Sequence, residues 1–122
     1  MQGAAPPSHI TGVPGWENPL EQDLFLKLAQ DLAGDPNATI VEIGGEFGMS
    51  ASIFSKGAPK AKIYSVDIAF NGPTGQIHEA NLKEAGVGKN VTRVAADSHD
   101  QFTLDQFNTT AVRDIVERLY PQ

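Results

Sequence analysis

The stretch Thr39-Ile40-Val41-Glu42-Ile43-Gly44-Gly45-Glu46-Phe47-Gly48-Met49-Ser50 changes character at its middle. Its first five residues form a short, β-branched run bounded by glycine, the profile of a strand buried in a parallel sheet. Glycines at 44, 45 and 48 then let the chain turn sharply and leave space for a ligand to approach the backbone. A helix from about Met49 to Lys56, closed by Gly57 and Pro59, follows the turn. Lys62-Ile63-Tyr64-Ser65-Val66-Asp67 reads as a second strand that ends on an acid, completing a βαβ unit. After a loop over residues 70–75, a helix through Ile77, Leu82 and Ala85 stops at Gly86, and a third strand over Val91–Ala96 runs to Asp97. The alternation implies an α/β fold of about three parallel strands joined by right-handed crossovers and flanked by helices.

Outward from this unit, residues 1–17 carry Pro6, Pro7 and the run Gly12-Val13-Pro14-Gly15 without periodicity, and read as an extended N-terminal arm. Residues 18–122 read as one domain. Asn18-Pro19-Leu20-Glu21 has the form of a capped helix start. Leu20, Leu24, Phe25, Leu28 and Leu32 recur at spacings of three and four, which predicts an amphipathic helix ending at Gly34 with these residues as its apolar face. A second stripe, Leu104, Phe107, Ala111, Val112, Ile115, Val116 and Leu119, predicts a C-terminal helix.

A chain of 122 residues holds one domain. With no cysteine it has no disulfide, no thiolate nucleophile and no cysteine-type zinc site, a composition that fits a cytoplasmic protein. Its net charge of -6 argues against a nucleic-acid partner. No apolar run reaches the ~18 residues of a membrane span, and the N-terminus has no secretion signal. His9, His78 and His99 share no metal-binding spacing, so no metal is expected.

The glycine turn and the acid at the end of the next strand, 19 residues beyond Gly48, suit a ligand bearing a nucleoside, its ribose hydroxyls accepted by Asp67. A dinucleotide site prefers bare amides for its pyrophosphate. Here Glu42 and Glu46 flank the turn, and their charge favours a cationic ligand. S-adenosylmethionine, with a sulfonium and an ammonium, is such a ligand. Each residue also has a structural alternative: the glycines as a tight turn, Asp67 and Asp97 as helix caps, and Glu42 satisfied by a backbone amide.

Glu42, Gly44, Gly48 and Ser50, with Asp67 and Asp97 in register, resemble the class I S-adenosylmethionine-dependent methyltransferases, in particular the small-molecule O-methyltransferase-like branch. The resemblance covers residues 20 to about 100. It implies that Glu42, Ser50 and the turn of Gly44, Gly45, Glu46, Phe47 and Gly48 hold the methionine end. It further implies that Asp67 and Ile68 bind the ribose side, and that Asp97 and Ser98 line the adenine pocket. It implies as the fold a truncated Rossmann-like three-layer domain, about three parallel strands in the order 3-2-1, with residues 18–122 as the cofactor-binding domain. The family's later strands, which supply substrate contacts, have no counterpart here, so no catalytic residue is assigned. Without a fourth strand, the first strand is an apolar edge, and a homodimer or domain-swapped oligomer covering residues 39–43 is expected. The implied activity is methyl transfer to a small-molecule acceptor. Its rivals are a non-catalytic binding or assembly module and an NAD-type nucleotide-binding enzyme.

Overall fold

Three helices and three strands alternate along the chain in a computed structural model that describes residues 4–96. Helix α1 (Pro19–Leu32) begins at the expected cap: the Glu21 amide donates to the Asn18 side chain at 2.9 Å, and the Asn18 amide donates to the Glu21 carboxylate at 3.2 Å. Strand β1 (Thr39–Ile43), helix α2 (Met49–Gly57) and strand β2 (Lys62–Val66) form the expected βαβ unit. A single 3-10 turn over Ile68–Asn71 leads to helix α3 (Pro73–Glu84) and strand β3 (Val91–Val94).

The strands lie in the order β1-β2-β3, all parallel, with Glu42 beside Ser65 and Val66 beside Val94. The alternation of strand side chains divides the sheet cleanly. Ile40 and Ile63 join Ala29, Ala51 and Leu82 in the core beneath the helices, whereas Val41 and Val66 pack with Ile43, Tyr64 and Val94 in a separate cluster. Among the described residues β1 pairs on one side only. Neither Asp97 and Ser98 nor the helix expected over residues 104–119 falls within the described residues.

Two expectations differ from the structure. Residues 4–17 do not extend away from the domain but double back as a small hairpin, with Pro7 bridged to Pro14. The Ser8 hydroxyl fixes its bend, accepting from the Ile10 and Thr11 amides and donating to Gln22 on α1 at 2.7 Å. Thr11 meets Ser52 on α2, and Val13 packs with Met49 and Ile53. A polar bend residue with buried partners thus anchors what composition alone marks as an arm.

The second difference concerns α1. Its buried residues are Gln22 and Ala29, while Leu20, Leu24 and Leu28 are 81%, 55% and 50% exposed. Helix α2 docks on the face carrying Leu26 and Ala29, and Gln22 is drawn inward by Ser8 and by the Glu17 carbonyl. Phe25 alone of the expected apolar face reaches inward, against Phe54 and the Val13 cluster. The leucine stripe faces away from α2.

Candidate functional site

The end of β1 carries the site. Glu42 points to the helical face of the sheet, where strand alternation places it between Ile40 and the glycine turn, and it is only 7% exposed. Ser65, its parallel-register neighbour on β2, donates its hydroxyl to one carboxylate oxygen. A serine therefore satisfies this acid, rather than the backbone amide that the sequence leaves open. Burial pushes the Glu42 carboxyl up to about 7. Hydrogen bonds from Ser65 and Ser50 oppose the shift, while the charges of Glu17 and Asp67 add to it.

Ser50, in the first turn of α2, lies between two acids: its hydroxyl donates to Glu17 at 2.8 Å and also favours the charged form of Glu42. Glu17 precedes the cap of α1 and was not among the residues that the sequence singles out. No motif marks it, since its approach to Ser50 depends on how the N-terminal hairpin docks.

The turn itself is held from the next strand. Asp67 accepts from the Glu46 amide at 3.0 Å and, through its other oxygen, from the Ala69 amide at 2.9 Å. It is therefore a cap of the 3-10 turn and a clamp on the glycine turn at once. Glu46 adopts left-handed backbone, φ 42°, with its side chain in solvent. Phe47 is half-buried, and its carbonyl accepts from Asn81 on α3 at 2.9 Å. Gly45 is closely enclosed: a Cβ there would lie 3.0 Å from the Phe70 ring, 3.1 Å from Ser65 Oγ and 3.3 Å from Glu42. Ile68, next to Asp67, is 65% exposed.

His78 of α3 lies beneath this turn, fully buried, with its Nδ1 3.3 Å from the Arg93 guanidinium and its Nε2 without a partner. Burial, with Arg93 beside it, pushes its pKa down to about 4, against the pull of Asp67. The ring packs edge-on to Phe70 and is part of the scaffold beneath Gly48.

Beside β1 the surface opens into a groove of about 720 Å³. Glu17, Glu42, Gly44 and Ser50 line one part of it, and Phe25, Leu28 and Leu32 of α1 line another. Of the residues the sequence singles out, the structure thus gathers Glu42, Gly44, Gly45, Glu46, Gly48, Ser50 and Asp67 around one turn.

No protein-family model and no curated protein matches this chain. Solved structures do match. Cofactor-bound Rv0187 from MTB aligns with 84% of this chain and 43% of its own, at 21% identity and a TM-score of 0.59. The O-methyltransferase TomG from Streptomyces achromogenes, involved in tomaymycin synthesis and solved in complex with SAM, aligns with 76% of this chain and 38% of its own, at 20% identity and a TM-score of 0.58. A candidate O-methyltransferase from Klebsiella pneumoniae gives 84%, 43%, 23% and 0.55 for the same quantities. The shared property is a Rossmann-like methyltransferase fold. The chain spans about two fifths of the length of these structures. Among the described residues no helix is long and apolar enough to cross a membrane.

Proposed function

We propose that this chain is the cofactor-binding half of an S-adenosylmethionine-dependent methyltransferase acting on a small molecule. The observation that carries the reading is the buried carboxylate of Glu42 at the mouth of the glycine turn, with Ser50 and Glu17 beside it and Asp67 clamping the same turn. A dinucleotide phosphate would meet this negative charge unfavourably, whereas an ammonium is stabilised by it.

When bound, the cofactor supplies an electrophilic methyl group on its sulfonium. The chain's part is to bind and orient. Glu42 and Ser50 hold the polar ends of the methionyl group. The backbone of Gly44 to Gly48 gives close approach, and Gly45 keeps the space between Phe70 and Glu42 free of a side chain. Each oxygen of Asp67 accepts one amide, and a carboxylate oxygen has capacity for a further donor, which ribose hydroxyls fill. Ile68 offers exposed apolar surface beside it, and Asp97 and Ser98 complete the adenine side in the same proposal. Positioning of this kind is a large part of what a displacement at a methyl group requires.

The unpaired side of β1 and the leucine stripe of α1 support a second element of the reading, that the chain works in a homodimer or swapped oligomer covering residues 39–43. The absence of cysteine supports a cytoplasmic setting. Isothermal titration with S-adenosylhomocysteine beside NAD tests the function. Affinity near micromolar for the first, about -8 kcal/mol, with none for the second is expected. Heat with NAD alone overturns the reading, and heat with neither leaves an assembly module in its place.

A further inference from the structure

Glu17 and Glu42 belong to segments 25 residues apart in the chain, yet Ser50 joins them across a partly buried contact. The backbone of Glu17 is fixed from the following helix, because Gln22 Nε2 donates to its carbonyl at 2.8 Å and Asn18 caps that helix. The N-terminal hairpin holds it from the other side, through Ser8 on Gln22 and Val13 against Met49. Its side chain is thus presented to the groove from a rigid position. Among the described residues, the lysine and arginine ion pairs are Lys27 with Asp31 and Arg93 with Glu79, and neither includes Glu17 or Glu42. Two carboxylates therefore face one groove with a single shared hydroxyl between them, and among the described residues neither has a lysine or arginine partner. When both acids are charged such a pair is self-repelling, and a cation between them relieves the repulsion.

We propose that Glu17 is a cofactor-selecting residue that, with Glu42, recognises the ammonium at the amino-acid end of the cofactor. This rests on the S-adenosylmethionine reading above and adds to it a contact from outside the glycine turn. An ammonium carries three donors, which suits one oxygen from each acid and the Ser50 hydroxyl. The N-terminal hairpin then has a second role beyond packing: it sets the distance between Glu17 and the turn, and so makes affinity for the amino-acid end depend on how that hairpin docks.

The test compares two ligands that differ at this end. S-adenosylhomocysteine carries the ammonium, and 5′-methylthioadenosine keeps the nucleoside and lacks it. In the full chain, Glu17→Gln is expected to weaken S-adenosylhomocysteine about tenfold and to leave 5′-methylthioadenosine unchanged, with the thermal midpoint retained. Equal weakening of both ligands, or of neither, overturns the assignment while the cofactor reading stands. If the wild-type chain binds neither ligand, both fall together. Should Glu17→Gln lose its thermal transition, Glu17→Asp replaces it with the same two ligands. It keeps the charge but shortens the reach, so the same selective loss is expected and an unselective one is fatal to the proposal.

Discussion

Glu42 concentrates the chemistry of this fold into one side chain. A buried acid shifted up to about 7 is stabilising in its neutral form: the contribution is complete below the unfolded value of 4.5 and disappears as pH rises through 7. The whole effect is at most about 3 kcal/mol at one pH unit per 1.36 kcal/mol. Glu42→Gln, which is neutral at every pH, is therefore expected to make the unliganded chain more stable than wild type at pH 8 and nearly equal to it at pH 4.5, by urea denaturation. On the proposed cofactor reading the same substitution removes the charge an ammonium needs, so affinity for S-adenosylhomocysteine is expected to fall although stability rises. Asp67→Ala is expected to weaken S-adenosylhomocysteine by about 1–3 kcal/mol, and it also releases the Glu46 amide, so the turn is less ordered in the variant. Two glycines separate strain from crowding. Gly44 and Gly48 both have positive φ, 76° and 99°, but a Cβ meets nothing within 4 Å at Gly44 and comes within 2.5 Å of Leu82 at Gly48. Gly48→Ala should cost more than Gly44→Ala by about 1–3 kcal/mol in the same denaturation experiment. Residue types were legible in the sequence to this point: a turn rich in glycine, an acid in an apolar strand and an acid at a strand end mark the residues that the structure gathers around one turn. Ser65 and Glu17 were not, because one is marked only by register and the other only by hairpin docking.

Elements were read more securely than their faces. All three strands and three helices over residues 18–96 follow from apolar periodicity and from glycine and proline punctuation, and the Asn18–Glu21 capping box was visible as spelling. The inward face of α1 was not, since helical periodicity identifies an apolar stripe without saying what it will touch. Here Leu20, Leu24 and Leu28 are exposed, with Leu28 lining the groove beside β1, and the helix is held instead by Ala29, Leu26 and the Ser8–Gln22 hydrogen bond. Leu24→Lys and Leu28→Lys together are expected to leave the unfolding free energy of a dilute sample within about 0.5 kcal/mol of wild type, and its thermal midpoint nearly unchanged, as surface changes do. They should also shift the chain toward monomer in sedimentation experiments at micromolar concentration. A midpoint that collapses on this change would mean that the stripe is core after all. Conversely, Ser8→Ala is expected to destabilise by about 1–2 kcal/mol, because it leaves the buried Gln22 Oε1 without its donor and two bend amides without their acceptor.

Among the described residues, the two strongly shifted groups oppose one another as pH falls. His78, held near 4, withdraws stability as pH drops from 6.5, while Glu42 adds stability over the range from 7 to 4.5. Their contributions largely cancel between pH 6.5 and 4.5, and below that range the histidine acts alone. The stability profile is expected to be nearly flat from pH 6.5 to 4.5 and to fall beneath it, and Glu42→Gln should expose a downward slope throughout. The overall architecture was legible because strand, glycine turn and helix recur in one order, and a right-handed crossover leaves few ways to assemble them. The register of the sheet has a kinetic meaning as well. Thr39 pairs with Lys62 and Ile63 with Val91, so partners stand 23 and 28 positions apart and every pairing must close a loop that contains a helix. Among the described strands no hairpin can nucleate the sheet. Refolding is accordingly governed by how soon α2 and α3 form and bring distant strands together, and the rate should respond more to helix-stabilising changes on their exposed faces than to changes in the strands.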